Sequence, residues 1–157
     1  MSKTDPDLGA PAPAFSLPAT GGETISLTDY KGQAVVLFMY PRDDTSGCTK
    51  EAVGFSAALD AFRTAGAEVL GLSKDSMASH DKFAAKHELT MPLLSDENDD
   101  TVEAYGAWKE KKMYGKTFMG IERSTFLIDG EGVLRGIWRK VKVPGHVEEV
   151  LAAVKAL

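Results

Sequence analysis

The chain has 157 residues, 43% hydrophobic and 26% charged, enough apolar material for one globular domain and too much for intrinsic disorder. Its 18 basic and 23 acidic residues leave a net charge of −5 with no basic cluster of five or more, which argues against a nucleic-acid binder held by phosphate contacts. The longest apolar run, residues 34–39, is too short to span a bilayer; the first residues lack the apolar segment of a secretory signal; and a single cysteine excludes an internal disulfide, so a cytoplasmic protein without a membrane partner is expected.

Residues 1–12 are polar and Pro-rich and read as a loose N-terminal tail of a single domain spanning 1–157. Phe15 to Leu17 and Glu23 to Ser26 alternate apolar with polar around Gly21-Gly22, which predicts a β-hairpin. Residues 27–32 form a short helical turn closed by Gly32. Residues 34–40 are apolar throughout and stop at Pro41, the pattern of a strand buried on both faces. Residues 49–65 place Ala52, Val53, Phe55, Ala58, Leu59 and Phe62 at helical spacing. A strand over 68–73, a helix over 76–86, a short strand over 91–94 and a short helix over 101–108 follow. The charged stretch 109–116 reads by default as a surface loop, with flanking a functional site or holding a partner as the alternatives. Strands over 123–128 and 133–138 flank an Asp129-Gly130-Glu131-Gly132 turn, and 144–157 form a closing amphipathic helix with Pro144 near its start. Alternating βαβ units with a late antiparallel hairpin predict an α/β protein with a mixed central sheet flanked by helices.

The chemistry concentrates at Cys48, in the run Tyr40-Pro41-Arg42-Asp43-Asp44-Thr45-Ser46-Gly47-Cys48-Thr49-Lys50-Glu51, where the buried strand ends and a helix begins. Backbone N–H groups without helical partners and the positive end of the helix dipole stabilise a thiolate there, and the thiolate is the reactive form. A lone cysteine more often only fills a core position; the polar, turn-forming neighbours argue against that here.

The spacing Pro41-x-x-x-Thr45-x-x-Cys48 matches the active-site motif of peroxiredoxins. The strings Tyr40 to Ala52, Glu122-Arg123-Ser124-Thr125-Phe126-Leu127-Ile128-Asp129 and Trp138-Arg139-Lys140-Val141 resemble the PrxQ, or bacterioferritin-comigratory-protein-like, branch, and the resemblance runs from Pro11 to the last helix. It implies a thioredoxin-like fold with an N-terminal β-hairpin extension, and a thiol-dependent peroxidase that reduces hydrogen peroxide and organic hydroperoxides. Cys48 would attack the O–O bond and become a sulfenic acid. Arg123, always charged and forked, suits the departing oxygen. Thr45 would accept from the peroxide and donate to sulfur or oxygen, Pro41 would shield the sulfur, and the N–H groups of Gly47 and Cys48 would face the peroxide. Glu51 resembles the acidic residue that orients the arginine, or simply favours the helix start. Tyr40 either lines the pocket or ends the strand, and Arg139 either adds positive potential or is a solvated strand end.

Many relatives carry a resolving cysteine five residues after the first or in the following helix; here those positions are Val53 and Ala84. A one-cysteine mechanism follows, in which an external thiol (thioredoxin, glutaredoxin or glutathione) reduces the sulfenic acid. The resemblance also implies a monomer. A peroxide sensor using the same cysteine to change its affinity for a partner is the alternative. His80, His87 and His146 lack metal-ligand spacing, and no nucleotide-binding glycine motif occurs, so neither a metal nor another cofactor is expected.

Overall fold

The structure, a computed structural model, describes residues 5–157. In chain order its elements are β1 (Ser16–Ala19), β2 (Glu23–Ser26), a 3-10 turn (Leu27–Tyr30), β3 (Ala34–Met39), α1 (Ser46–Ala57), α2 (Leu59–Thr64), β4 (Ala67–Ser73), α3 (Met77–Lys86), β5 (Leu93–Ser95), α4 (Thr101–Ala104), β6 (Trp108–Met113), β7 (Lys116–Ile121), β8 (Ser124–Ile128), β9 (Leu134–Trp138) and α5 (His146–Lys155). Among the described residues, seven strands form one mixed sheet in the order β2-β1-β5-β4-β3-β8-β9. β3 is parallel to β4 and antiparallel to β8, and β4 is parallel to β5. This is the thioredoxin-like arrangement, with the β1–β2 hairpin added at the β5 side through Ala19 and Leu94.

The period-2 geometry of β3 divides the core. Val35, Leu37 and Met39 join one apolar cluster with the N-terminal hairpin, Val102 of α4 and Phe126. Ala34, Val36, Phe38 and Tyr40 join the other, with Cys48 and the buried faces of α1, α2, α3 and α5. The continuous apolar run is therefore a strand covered on both sides, all six of its residues being buried. The cysteine belongs to the helix-covered layer, at the end of β3 where the chain leaves the sheet.

The register of β3 on β8 fixes the site. Met39 stands opposite Ser124, so the residues just beyond that pair, Tyr40 and Arg123, leave the sheet at the same edge. The strand that delivers the cysteine loop and the strand that delivers the arginine thus end together.

Several boundaries differ from expectation. The helix expected over 49–65 begins earlier, at Ser46, and divides at Ala58, whose φ of −94° and ψ of 2° leave helical geometry. The stretch 109–116 belongs to a two-stranded antiparallel ribbon of β6 and β7. Tyr114 and Gly115, both at positive φ, make its tight turn; the charged side chains of this ribbon conceal the usual alternation. The stretch read as a loose tail is laced to the start of β9: the N–H of Gly9 donates to the Leu134 carbonyl at 2.8 Å, and the N–H of Leu134 donates to the Ala10 carbonyl at 2.9 Å. Residues 1–4 of that reading lie outside the described residues.

Candidate active site

α1 starts immediately after the 41–45 loop. Thr45 is its extended N-cap residue, with φ −89° and ψ 155°, and the Thr45 carbonyl accepts the first helical bond, from the Thr49 N–H at 2.8 Å. The N–H groups of Gly47 and Cys48 therefore fall in the first turn, where no helical carbonyl is available. Cys48 itself is 1% exposed, and its thiol is free.

One guanidinium ties the site together. Arg123 Nη2 donates to Cys48 Sγ at 3.3 Å, and Nη1 donates to Glu51 Oε1 at 2.8 Å. Cys48 and Glu51 are three residues apart on α1, so their side chains share one helix face and meet one fork. Gly47 eases this approach: a Cβ there would lie 3.1 Å from Arg123 Nη2, close enough that the guanidinium would have to shift by a few tenths of an ångström.

Glu51 is fully buried, and its second carboxylate oxygen, Oε2, has no hydrogen-bond partner among the described residues. Burial pushes its carboxyl up to about 7, although the adjacent Arg123 charge pulls it down. Glu51 and the sulfur use different nitrogens of one fork, so the carboxylate holds the guanidinium through Nη1 while Nη2 remains directed at the sulfur. Glu51 and the sulfur in turn hold Arg123 protonated, above its ordinary value, against the opposing effect of its own burial.

Thr45 is solvent-exposed, and its hydroxyl donates to the Arg42 carbonyl at 3.0 Å, leaving its lone pairs free for a ligand's O–H. Pro41 is half-buried. Pro41 and Thr45 border a cleft of about 570 Å³ whose other wall includes Trp108, Lys111, Met113 and Phe118 from the β6–β7 ribbon. Lys111 was legible only as part of a charged stretch; here it faces the site, and burial together with the Arg123 charge lowers its ammonium below the usual lysine range.

The remaining sequence candidates divide. Tyr40 does not line the cleft: its ring is buried, its hydroxyl donates to Asp43 Oδ1 at 2.6 Å, and burial beside that carboxylate pushes the phenol far above its ordinary value. Arg139 is turned away from the sulfur and donates to the carbonyls of Tyr105 and Gly106 at 3.0 and 3.1 Å. Val53 lies on the exposed side of α1, and Ala84 sits half-buried in α3. The three histidines contact different residues. His80 contacts Asp43 and His87 contacts Asp44. His146, which burial holds below its ordinary value, pairs with Thr125 Oγ1 at 2.8 Å.

Comparison with known proteins follows the same lines. The AhpC/TSA family matches residues 8–137. A putative peroxiredoxin bcp of Coxiella burnetii is 50% identical over 145 residues, 92% of this chain and 96% of that protein. The PrxQ of Xylella fastidiosa, solved as a cysteine-to-serine variant, superposes with a TM-score of 0.92 at 41% identity, covering 98% of each chain. The bacterioferritin comigratory protein of Xanthomonas campestris, solved as trapped intermediate and ligand complexes bearing on its alkyl peroxide reduction activity, superposes with a TM-score of 0.86 at 47% identity over 90% of each chain.

Proposed function

Since this chain belongs to the AhpC/TSA family and is a peroxiredoxin of the Bcp/PrxQ type, a thiol-dependent peroxidase, we propose that Cys48 is its peroxidatic residue, with Arg123, Thr45 and Pro41 completing the catalytic set. The observation that supports this assignment most directly is the single guanidinium bonded to both Cys48 Sγ and the buried Glu51. The Cys48 thiolate attacks one peroxide oxygen; the O–O bond breaks and its electron pair leaves with the other oxygen. That oxygen takes a proton and departs as water or an alcohol, and the sulfur is left as a sulfenic acid. Arg123 is placed to stabilise both the starting thiolate and the charge on the departing oxygen. Thr45 accepts the peroxide O–H, Pro41 keeps bulk water from the loop, and the N–H groups of Gly47 and Cys48 add donors at the helix start. Glu51 orients the arginine.

The cleft beside Pro41 and Thr45, with its apolar ribbon wall, has room for the carbon chain of an organic hydroperoxide as well as for hydrogen peroxide. The alkyl peroxide activity of the Xanthomonas campestris relative agrees with that reading.

With one cysteine in the chain, the sulfenic acid condenses with an external thiol, releasing water and forming a mixed disulfide. A second external thiol then restores Cys48. Thioredoxin, glutaredoxin and glutathione are the candidate reductants. The enzyme works as one domain and one monomer, in the reducing cytoplasm where a lone thiol persists; no helix among the described residues is long and apolar enough to cross a membrane.

The test is turnover. Each reductant is supplied in turn with hydrogen peroxide or cumene hydroperoxide, and intact mass follows the protein. Sustained peroxide consumption with at least one reductant, passing through a Cys48 mixed disulfide, is expected. Rapid oxidation without turnover by any of the three would instead favour the peroxide-sensor reading.

A further inference from the structure

Resting on the assignment of Cys48 as the peroxidatic residue, we propose that Asp43 and His80 are a positioning pair for the peroxidase reaction, a buried clamp by which α3 holds the 41–45 loop, and with it Pro41 and Thr45, against the cysteine turn. The loop has little to hold it by itself. It is five residues long, and Asp44 adopts a φ of +60°, a left-handed conformation uncommon for side-chain-bearing residues though easier for Asp than for most.

The constraint is a closed set of hydrogen bonds. The Asp43 carboxylate accepts from the Tyr40 hydroxyl at 2.6 Å and from the Ser79 hydroxyl at 2.8 Å, and its Oδ2 lies 2.7 Å from His80 Nδ1. The Asp43 N–H donates at 2.8 Å to Asp75 Oδ2, which also accepts from the Ser73 hydroxyl at 2.6 Å. On its other side, His80 Nε2 lies 2.9 Å from the Leu94 carbonyl. A carbonyl only accepts, so Nε2 carries a hydrogen, and the Nδ1–Oδ2 contact must hold one further proton between imidazole and carboxyl. The next loop residue, Asp44, is bonded to the same helix from outside, by Lys86 at 2.7 Å and His87 at 3.0 Å.

Two properties separate this clamp from ordinary packing. It is buried, His80 being 0% and Asp43 8% exposed, and a buried charged or proton-sharing pair is no more stabilising than a well-packed apolar one. What it adds is direction: Asp43 can sit at only one place relative to α3. It also lies two residues from both Pro41 and Thr45, whose positions the peroxide must match. The ligand atoms of Asp43, Asp75 and His80 lie within 4.8 Å of one another, but each of these groups is already engaged in the hydrogen bonds just described.

The test compares two reactions of the same thiol. Oxidation by hydrogen peroxide requires the loop to be in place; alkylation by iodoacetamide requires only an accessible thiolate. In Asp43→Asn, and in the paired apolar change Asp43→Ala/His80→Leu, the peroxide rate constant is expected to fall about tenfold or more, with the iodoacetamide rate constant undiminished or raised, since a released loop uncovers the 1%-exposed thiol. A peroxide rate within about twofold in either folded variant would overturn the proposal. So would a parallel fall in both rates, or loss of cooperative folding in both variants, since either makes the pair a general stability element. If the unaltered protein itself reacts with peroxide no faster than a free thiol, the failure lies with the Cys48 assignment and not with the clamp.

Discussion

Asp43 and Glu51 are two buried carboxylates on either side of the cysteine turn, and the fold treats them in opposite ways. Asp43 has a partner for each oxygen, from Tyr40, Ser79 and His80. Glu51 is bound through Oε1 by Arg123 and, among the described residues, has no partner at Oε2. Saturation on the Asp43 side removes freedom and so fixes a loop. On the Glu51 side burial keeps the carboxyl up at about 7, and the second nitrogen of the same guanidinium is left to meet the sulfur. Here the fully bonded carboxylate fixes a loop, and the one bonded at a single oxygen touches the arginine that meets the sulfur.

The largest expected effect comes from cutting the fork that joins Glu51 to the sulfur. Arg123→Ala should lower the rate constant for peroxide oxidation of Cys48 by about 10²–10³, the loss typical of one preorganised donor to developing charge; stopped-flow kinetics read it directly. On the saturated side, His80→Ala leaves the Asp43 carboxylate buried without its imidazole. It should lower the free energy of unfolding by about 3–5 kcal/mol, seen as an earlier midpoint in urea.

Glu51→Gln should act mainly through pH. The folded-state value of about 7 lies above the reference 4.5, so folding takes up a proton between these values. The Glu51 contribution to stability is therefore full below about pH 4.5 and lost as pH rises through about 7. The difference is on the order of 3 kcal/mol. Urea midpoints measured from pH 4.5 to 8 should show that slope in the unaltered protein and a flatter one in Glu51→Gln; equal slopes would contradict the assignment.

The smallest effect is at Gly47. A methyl 3.1 Å from Arg123 Nη2 must displace a guanidinium already held at two points, so Gly47→Ala should slow peroxide oxidation about three- to tenfold, equivalent to about 1 kcal/mol. A rate equal to that of the unaltered chain would show that the fork tolerates the shift.

Much of the site could be read from the chain before any coordinates. The all-apolar run before Pro41 places Cys48 at the end of a strand buried on both faces, and the pairing of Cys48 with Arg123 and Glu51 could be anticipated through the family motif. The clamp was not legible. Asp43 and His80 are 37 residues apart, and nothing local marks a partner for either; the parallel pairing of β3 with β4, and the helix that follows β4, bring them together. Tyr40 was ambiguous for the same reason, since its hydroxyl is explained only by Asp43. The β6–β7 ribbon is not legible in the chain because Lys109, Glu110, Lys111 and Lys112 hide the strand alternation, and only the Tyr114-Gly115 turn gives a hairpin signal. The lacing of residues 9–12 to β9 depends on a sheet edge formed more than 120 residues later.

The central claim, that this fold makes Cys48 a peroxidatic thiol, is tested most directly by its second-order rate of oxidation by hydrogen peroxide. Trp108 and Trp138 fluorescence in stopped flow would follow the reaction, with sulfenate trapping and intact mass as the check. Oxidation orders of magnitude faster than a free thiol at the same pH, and absent in Cys48→Ser, is the expected result. A rate equal to that of free cysteine would mean that the Arg123–Cys48–Glu51 arrangement does not activate the thiol, and would contradict the account.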